Sequence, residues 1–299
     1  MDLVFRDAGG ALLSFEREDW DREAGALRAW VRLPEIASDT ATTFYLHYGD
    51  GVDTDRSDAG ATWTDGFAAV WHLDEEPDEE LDSTAGAHHA TRSRGSAARA
   101  PAYLGDGLLL DGSGDFVDFG TDLPAGVDRG ASLTVTGWVR YDALGQWSHF
   151  VSKARVDANS FGWGLGIDST YDFMVRAMNG NESARGYSDA AQPAVGEWHH
   201  WALVFDGGQP TNQLKLRGFR DGMEYLLSYE ATIPSAFDAD GGPLYVGCAP
   251  WNTLDYCIEG AVDEVHVATV ARAAEWIAAE AASQAAGAGF VSVGAEEAL

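Results

Sequence analysis

Between Leu133 and Arg140 every second residue is apolar or glycine, so Leu133, Val135, Gly137 and Val139 fall on one face of an extended chain. A period of two buries one side of a β-strand, whereas a helix needs its apolar residues three or four apart. The pattern returns in Trp198–Phe205, which stops at Asp206-Gly207-Gly208, and in Leu214–Phe219, which is followed by Asp221-Gly222. Arg28–Leu33 and Thr43–Tyr48 repeat it near the start. Short alternating runs separated by turn residues predict an all-β chain folded as an antiparallel sandwich. One segment departs from the rule. Ala271 to Ala286 is rich in alanine and stops at Gly287, which predicts one short C-terminal helix with Trp276 packed on the sandwich. Gly289–Gly294 reads as a last strand.

The 299 residues are enough for two domains, and 48 acidic against 19 basic residues leave a formal charge of −29. Nucleic acid and anionic membranes would meet a repulsive field, which excludes both as electrostatic partners. No apolar run approaches the roughly 18 residues of a membrane helix. Met1-Asp2-Leu3-Val4-Phe5 lacks the basic start and apolar core of an export signal, so an exported protein would be represented here by its mature part. Composition shifts near residue 70: residues 74–100 form a polar stretch with acidic and basic patches, the signature of a solvated loop. The expected organisation is a small β domain over 1–70, with completion by 288–297 as one alternative, and a larger sandwich over 71–287.

Few residues carry the pattern of a reactive site. Cys248 and Cys257 flank a turn-rich stretch between two apolar runs, so the expectation is a disulfide across a hairpin, with two reduced thiols as the alternative. Glycoside hydrolysis needs two carboxylates facing each other across a sugar. The nearest run, Glu16 to Asp21, reads as a turn in the first domain, and Asp263 and Glu264, as strand neighbours, are expected on opposite faces. Neither Gly-x-Ser-x-Gly nor a phosphate loop occurs, and the pairs His88-His89 and His199-His200 lack the spacing of a zinc site. These readings predict no enzyme. Aromatic rings beside polar groups at loop tips can stack on sugars. Trp251 with Asn252 leads, followed by Trp147 with His149 and Tyr171 with Asp172, while Trp138, Trp198 and Trp201 are assigned to the core or to strand support.

From residue 71 onward the chain resembles the bacterial laminin G-like modules of the concanavalin A-like lectin/glucanase fold. The resemblance is carried in order by Val70-Trp-His-Leu-Asp74, Asp82-Ser-Thr-Ala-Gly86, Leu109-Leu-Asp-Gly-Ser-Gly-Asp-Phe-Val-Asp118 and Leu133–Val139. Glu197-Trp-His-His-Trp-Ala202 and Gly260-Ala-Val-Asp-Glu-Val-His-Val267 complete it. Residues 1–70 resemble part of a small β domain of unknown function that precedes such modules in bacterial envelope proteins. The resemblance implies a jelly-roll sandwich and a structural calcium ion tying the start of the module to its end. Asp74 or Asp82 and Asp263 are the implied ligands, with turn capping by Asp82 and backbone bonding by Asp263 as the alternatives. It also implies an extracytoplasmic recognition module for a glycan or an envelope protein. A second implied role is a sensory or scaffolding ectodomain, because the same domain pair occurs fused to proton-channel subunits of the MotA/TolQ/ExbB type.

Overall fold

A computed structural model describes residues 3–21, 23–49, 56–145, 147–155, 160–170, 172–179, 184–239, 241–249, 256–285 and 289–296. The alternation at Leu133–Val139 lies within the strand Ser132–Ala143, which pairs antiparallel with Trp198–Asp206 on one side and Glu259–Ala268 on the other. Leu216–Arg220 and Met223–Tyr225 extend this sheet beyond Trp198–Asp206; Asp106–Asp111 and Ala98–Pro101 extend it beyond Glu259–Ala268. Phe67–Trp71 also pairs with Glu259–Ala268. The second large sheet runs in the order Ser228–Tyr229, Arg185–Ser188, Phe173–Ala177, Ser160–Ile167, His149–Arg155, Leu244–Val246, Phe116–Asp118, Arg92–Arg94.

The inner faces of these sheets meet in one apolar core. Leu133, Val135, Val139, Trp201, Leu203 and Val265 come from the first sheet; Phe150, Trp163, Leu165, Phe173 and Val175 come from the second. Ring contacts cross between them, Phe173 to Trp201 at 4.7 Å and Phe150 to Trp201 at 5.9 Å between centroids. Gly137 faces inward as its spacing requires, and a β-carbon there would press on Phe150 and Val265. The result is the jelly-roll-like sandwich the alternation predicts.

Two expectations about local structure need correction. Several short helices occur instead of one: Ala59–Thr62, Ala125–Asp128 and Asn212–Lys215 each make a single turn, and Asp189–Ala191 is a 3₁₀ turn. Asn212–Lys215 therefore delays the strand read from Leu214 until Leu216. The C-terminal helix forms over Ala274–Gln284, with Ile277 and Ala281 buried. Ile277 packs against Ala202, Val204 and Phe219 on the outer face of the first sheet, and Trp276, half-buried beneath the Arg272 guanidinium, packs on the same cluster as expected. The strand expected at Gly289–Gly294 does not form. No described residue pairs with this segment, and Phe290, Val291 and Val293 stay exposed.

The chain divides into two compact units, Met1–Phe67 with Ser83–Ala87, and Ala68–Asp82 with His88–Leu299. In the first, Val4–Asp7 pairs with Leu12–Leu13 and Phe44–His47, and Phe15–Asp21 forms a hairpin with Ala26–Val31. Leu3, Phe5, Leu13 and Phe15 make its small core. The run Glu16 to Asp21, read as a turn, is thus a strand. Glu16 accepts from the Trp63 indole and from Ser83 Oγ at 2.7 Å, and Glu18 accepts from Arg28 and from Trp30 at 2.8 and 2.7 Å. Both carboxylates hold their own unit together.

Candidate functional site

Two parts of the larger unit concentrate polar chemistry, on opposite outer faces of the sandwich. The first lies beneath the C-terminal helix. The strand Glu259–Ala268 is interrupted by a bulge, with Glu264 at φ +53° and a register shift against Thr136–Trp138. An extra residue at a bulge resets which side chains face which way. Asp263 sits opposite Trp138, His266 sits opposite Thr136, and Glu264 bonds His266. Trp138 and Thr136 both bond helix residues, Gln284 and Glu280, so this side of the strand is the helix side. Asp263 and Glu264 therefore share a face, where simple alternation placed them on opposite ones.

Glu264 Oε2 accepts from His72 Nδ1 at 2.8 Å and from His266 Nε2 at 3.1 Å. His266 Nδ1 donates to Glu280 Oε1 at 2.9 Å, and Thr136 Oγ1 donates to the same oxygen at 2.9 Å. His200 Nε2 lies 3.7 Å from Glu280 Oε2. His72, Glu264, His266 and His200 are all buried. Burial alone would raise the Glu264 carboxyl, but the two histidines reverse the sign and hold it below its usual range. Burial would likewise lower His266, yet its bonds to Glu264 and Glu280 push it up; His200 is pushed down by burial.

The ligand atoms of His72, Glu264 and His266 lie within 4.8 Å of one another, and among the described residues this is the one group of three able to hold a divalent metal. Nothing about it specifies calcium, since two of its three donors are nitrogens. The sequence reading missed it because His72 is 192 positions from Glu264. The available signal was local: Glu264 and His266 are two apart on a strand and so share a face.

Two of the implied calcium ligands, Asp82 and Asp263, accept from backbone. Asp82 accepts from Val70 N–H at 3.0 Å and from His88 N–H at 2.8 Å, tying the loop to the opening strand. Asp263 accepts from Leu104 N–H at 2.7 Å. Burial raises the Asp74 carboxyl, with Glu75 adding to the effect.

The second concentration lies at one end of the other sheet. Trp147 N–H donates to Asp168 C=O at 3.2 Å, and Ile167 N–H donates to Ser148 C=O at 2.8 Å. These bonds bring together the loop carrying Trp147 and His149 and the hairpin carrying Asp168 and Asp172. Trp147 adopts φ +64°, a strained conformation for a bulky residue. The guanidiniums of Arg185 and Arg176 lie 4.8 and 5.3 Å from its ring centroid. His149 Nδ1 donates to Trp147 C=O at 2.6 Å, and burial, reinforced by Arg176 and Arg185, pushes its imidazole well below its usual range. Asp172 accepts from Gln192 Nε2 at 2.6 Å and from Thr170 Oγ1 at 2.9 Å. Trp147, His149 and Asp172, chosen from the sequence, thus lie in neighbouring segments at one rim. Tyr171, Trp251 and Asn252 lie outside the described residues. Trp201 is core as expected, whereas Trp138 and Trp198 support the first sheet from outside, stacked with Tyr103 and Arg140.

Cys248 and Cys257 are joined in a disulfide across a two-stranded hairpin. The pair packs with Phe116 and Tyr245 on the same sheet as the Trp147 rim.

Comparison with known proteins agrees with this architecture. Residues 111–278 match the concanavalin A-like lectin/glucanases superfamily. The chain belongs to that superfamily. Residues 1–88 match a domain of unknown function, DUF2341, so a DUF2341 segment precedes the lectin/glucanase-like module. No curated protein matches the chain. Among solved structures, Trypanosoma rangeli sialidase in complex with 2,3-difluoro-KDN is 14% identical, with a TM-score of 0.53 over 72% of this chain and 32% of that one. The chain therefore spans about a third of the sialidase's length. The binding domain of botulinum neurotoxin DC in complex with SialylT is 14% identical over 74% of this chain and 52% of its own, with a TM-score of 0.50. Domain 4 of AbnA, an arabinanase from Geobacillus stearothermophilus, in complex with arabinotriose, is 16% identical over 71% and 97%, with a TM-score of 0.48. At these identities the likeness is one of fold, which this superfamily shares between lectins and glycosidases.

Proposed function

We propose that the chain is a non-catalytic recognition module that binds glycan outside the cytoplasm, with the rim around Trp147 as its contact surface. The observation that carries this reading is the backbone of Trp147. A large aromatic residue held at φ +64° costs free energy, and such strain persists where the surroundings fix a side chain for use. The Trp147 N–H bonds Asp168, whose hairpin carries the hydroxyl and carboxylate of Thr170 and Asp172 bonded to the amide of Gln192, a mixture of ring and polar groups that suits sugars.

The non-catalytic reading is supported by where the carboxylates are. Glu264 is buried beneath the C-terminal helix, Glu280 of that helix bonds the same cluster, and Glu16 and Glu18 are bonded within the small first unit. The disulfide supports an oxidising compartment. Among the described residues no helix is long and apolar enough to cross a membrane. The charge of −29 favours neutral sugars or proteins over anionic surfaces as partners.

A glycan array probed with the whole chain and with Trp147→Ala tests the proposal. The expected result is a restricted set of bound glycans whose signal disappears in the variant. A blank array would favour the scaffolding role, and an unchanged signal in the variant would remove Trp147 from the contact surface. Hydrolysis of an arrayed glycan by the wild type would overturn the non-catalytic reading.

A further inference from the structure

We propose that His72, Glu264 and His266 form a structural site for one divalent transition ion of the zinc class, buried under the C-terminal helix. This inference is independent of the recognition reading and rests on four observations.

The first is donor spacing. The pairs His72 Nδ1–Glu264 Oε2 and Glu264 Oε2–His266 Nε2 are 2.8 and 3.1 Å apart. Adjacent ligands of a tetrahedral ion bound at about 2.0–2.1 Å stand roughly 3.3 Å apart, so small side-chain shifts admit the ion.

The second is the outer support. A histidine that binds a metal through one nitrogen donates its other N–H to a carboxylate or carbonyl, which fixes its tautomer and aim. His266 does this: Nε2 points at the cluster while Nδ1 donates to Glu280, itself held by Thr136.

The third is the set of buried polar atoms left over. Glu264 Oε1, Glu280 Oε2 and both ring nitrogens of His200 make no hydrogen bond although they are buried. Both histidines compete for Glu264 Oε2 while its other oxygen makes no hydrogen bond. A cation among the three residues removes that imbalance, because it takes lone pairs from both imidazoles and from the carboxylate.

The fourth is placement. His72 directly follows the strand Phe67–Trp71, Glu264 and His266 lie on the bulge of Glu259–Ala268, and Glu280 belongs to the helix. An ion here joins the first strand of the module to its last and indirectly clamps the helix. Two nitrogens and a carboxylate suit a borderline ion such as Zn²⁺, not calcium, which takes six to eight oxygens.

The test uses the whole chain, chelated while folded and then titrated with Zn²⁺, Co²⁺ or Ca²⁺. The expected result is uptake of one equivalent of Zn²⁺ or Co²⁺, visible absorption bands of tetrahedral Co²⁺, and a rise in Tm of several degrees with excess Zn²⁺. Millimolar Ca²⁺ is expected to give no Tm shift. His72→Gln should lose the Co²⁺ bands and the Zn²⁺ shift while keeping the far-UV circular dichroism of the wild type. Glu280→Gln, which leaves the three ligands in place, should weaken Co²⁺ affinity by 10- to 100-fold, on the order expected for an outer-shell partner. The proposal is overturned if the wild type takes up neither transition ion, if His72→Gln binds Co²⁺ as the wild type does, or if Ca²⁺ alone binds.

Discussion

One outer face of the sandwich carries a helix over a group of ionisable side chains; the other carries a disulfide hairpin and, at its end, a strained tryptophan between loops. On the helix side, His72, Glu264, His266, Thr136 and Glu280 are bonded to one another, and the helix keeps water out. On the hairpin side, the disulfide rests on Phe116 and Tyr245, the half-buried Trp147 bonds Asp168, and Thr170 and Gln192 are exposed. Polar groups thus occur on both faces, but in one they bond inward and in the other they border solvent. A sheet face can be closed by bonding its polar side chains to a covering element, and then its chemistry serves stability. A rim of loops leaves its donors available to a ligand.

The largest expected effect comes from breaking the sealed face. Glu264→Ala removes the acceptor shared by His72 and His266 and should cost about 3–5 kcal/mol, as for other broken buried charge pairs. Urea unfolding monitored by tryptophan fluorescence measures it, and a loss under 1 kcal/mol would show that the cluster contributes little. Replacing both Cys248 and Cys257 by serine opens a short cross-linked loop and should cost about 2–3 kcal/mol. That loss should appear only under oxidising conditions, because a reductant brings the wild type down to the variant.

A smaller effect is expected at Glu80, a buried carboxyl near Glu75 and Asp74. Burial, then those two neighbours, push it up from 4.5 to about 10. A group whose folded value is raised binds a proton that the unfolded chain releases. Its stabilising contribution is complete below about pH 4.5 and is lost as pH rises toward 10. Glu80→Gln should therefore raise Tm by several degrees at pH 8 and hardly change it at pH 4.5, in a scan at both pH values. The smallest change in stability is expected at Trp147→Gly, within about 1 kcal/mol, because relief of the left-handed strain offsets the lost cation–π contacts. The same variant should nonetheless lose glycan binding, which separates the two faces by their different readouts.

Much of the fold was legible because the core obeys period two. Leu133, Val135, Gly137 and Val139 point inward as their spacing requires, and the glycine-punctuated runs ended where turns were expected. Legibility failed where a local rule was broken. At Glu264 one bulge residue puts two acidic neighbours on one face, and no composition signal marks a bulge. The helix and the packing of Trp276 on the sandwich are legible from its alanine-rich composition and the lone large ring, while the deeper burial of Ile277 over Ala202 and Phe219 depends on the sheet beneath. The segment Gly289–Gly294 has strand composition without a strand partner, and a strand exists only as a pair. For the candidate rim, Trp147, His149 and Asp172 are legible in the sequence as aromatic and polar residues beside turn formers. The His72 cluster is not, because its members meet only once the sheet has formed.

The most direct test of the account is hydrogen–deuterium exchange of the whole chain with and without a saturating oligosaccharide selected on the array. Added protection is expected in peptides containing Trp147 and in those containing Asp168 and Thr170, with Ala274–Gln284 and Glu259–Ala268 unchanged. Protection concentrated over the helix and the strand beneath it would place the ligand on the sealed face and contradict the division of labour between the two.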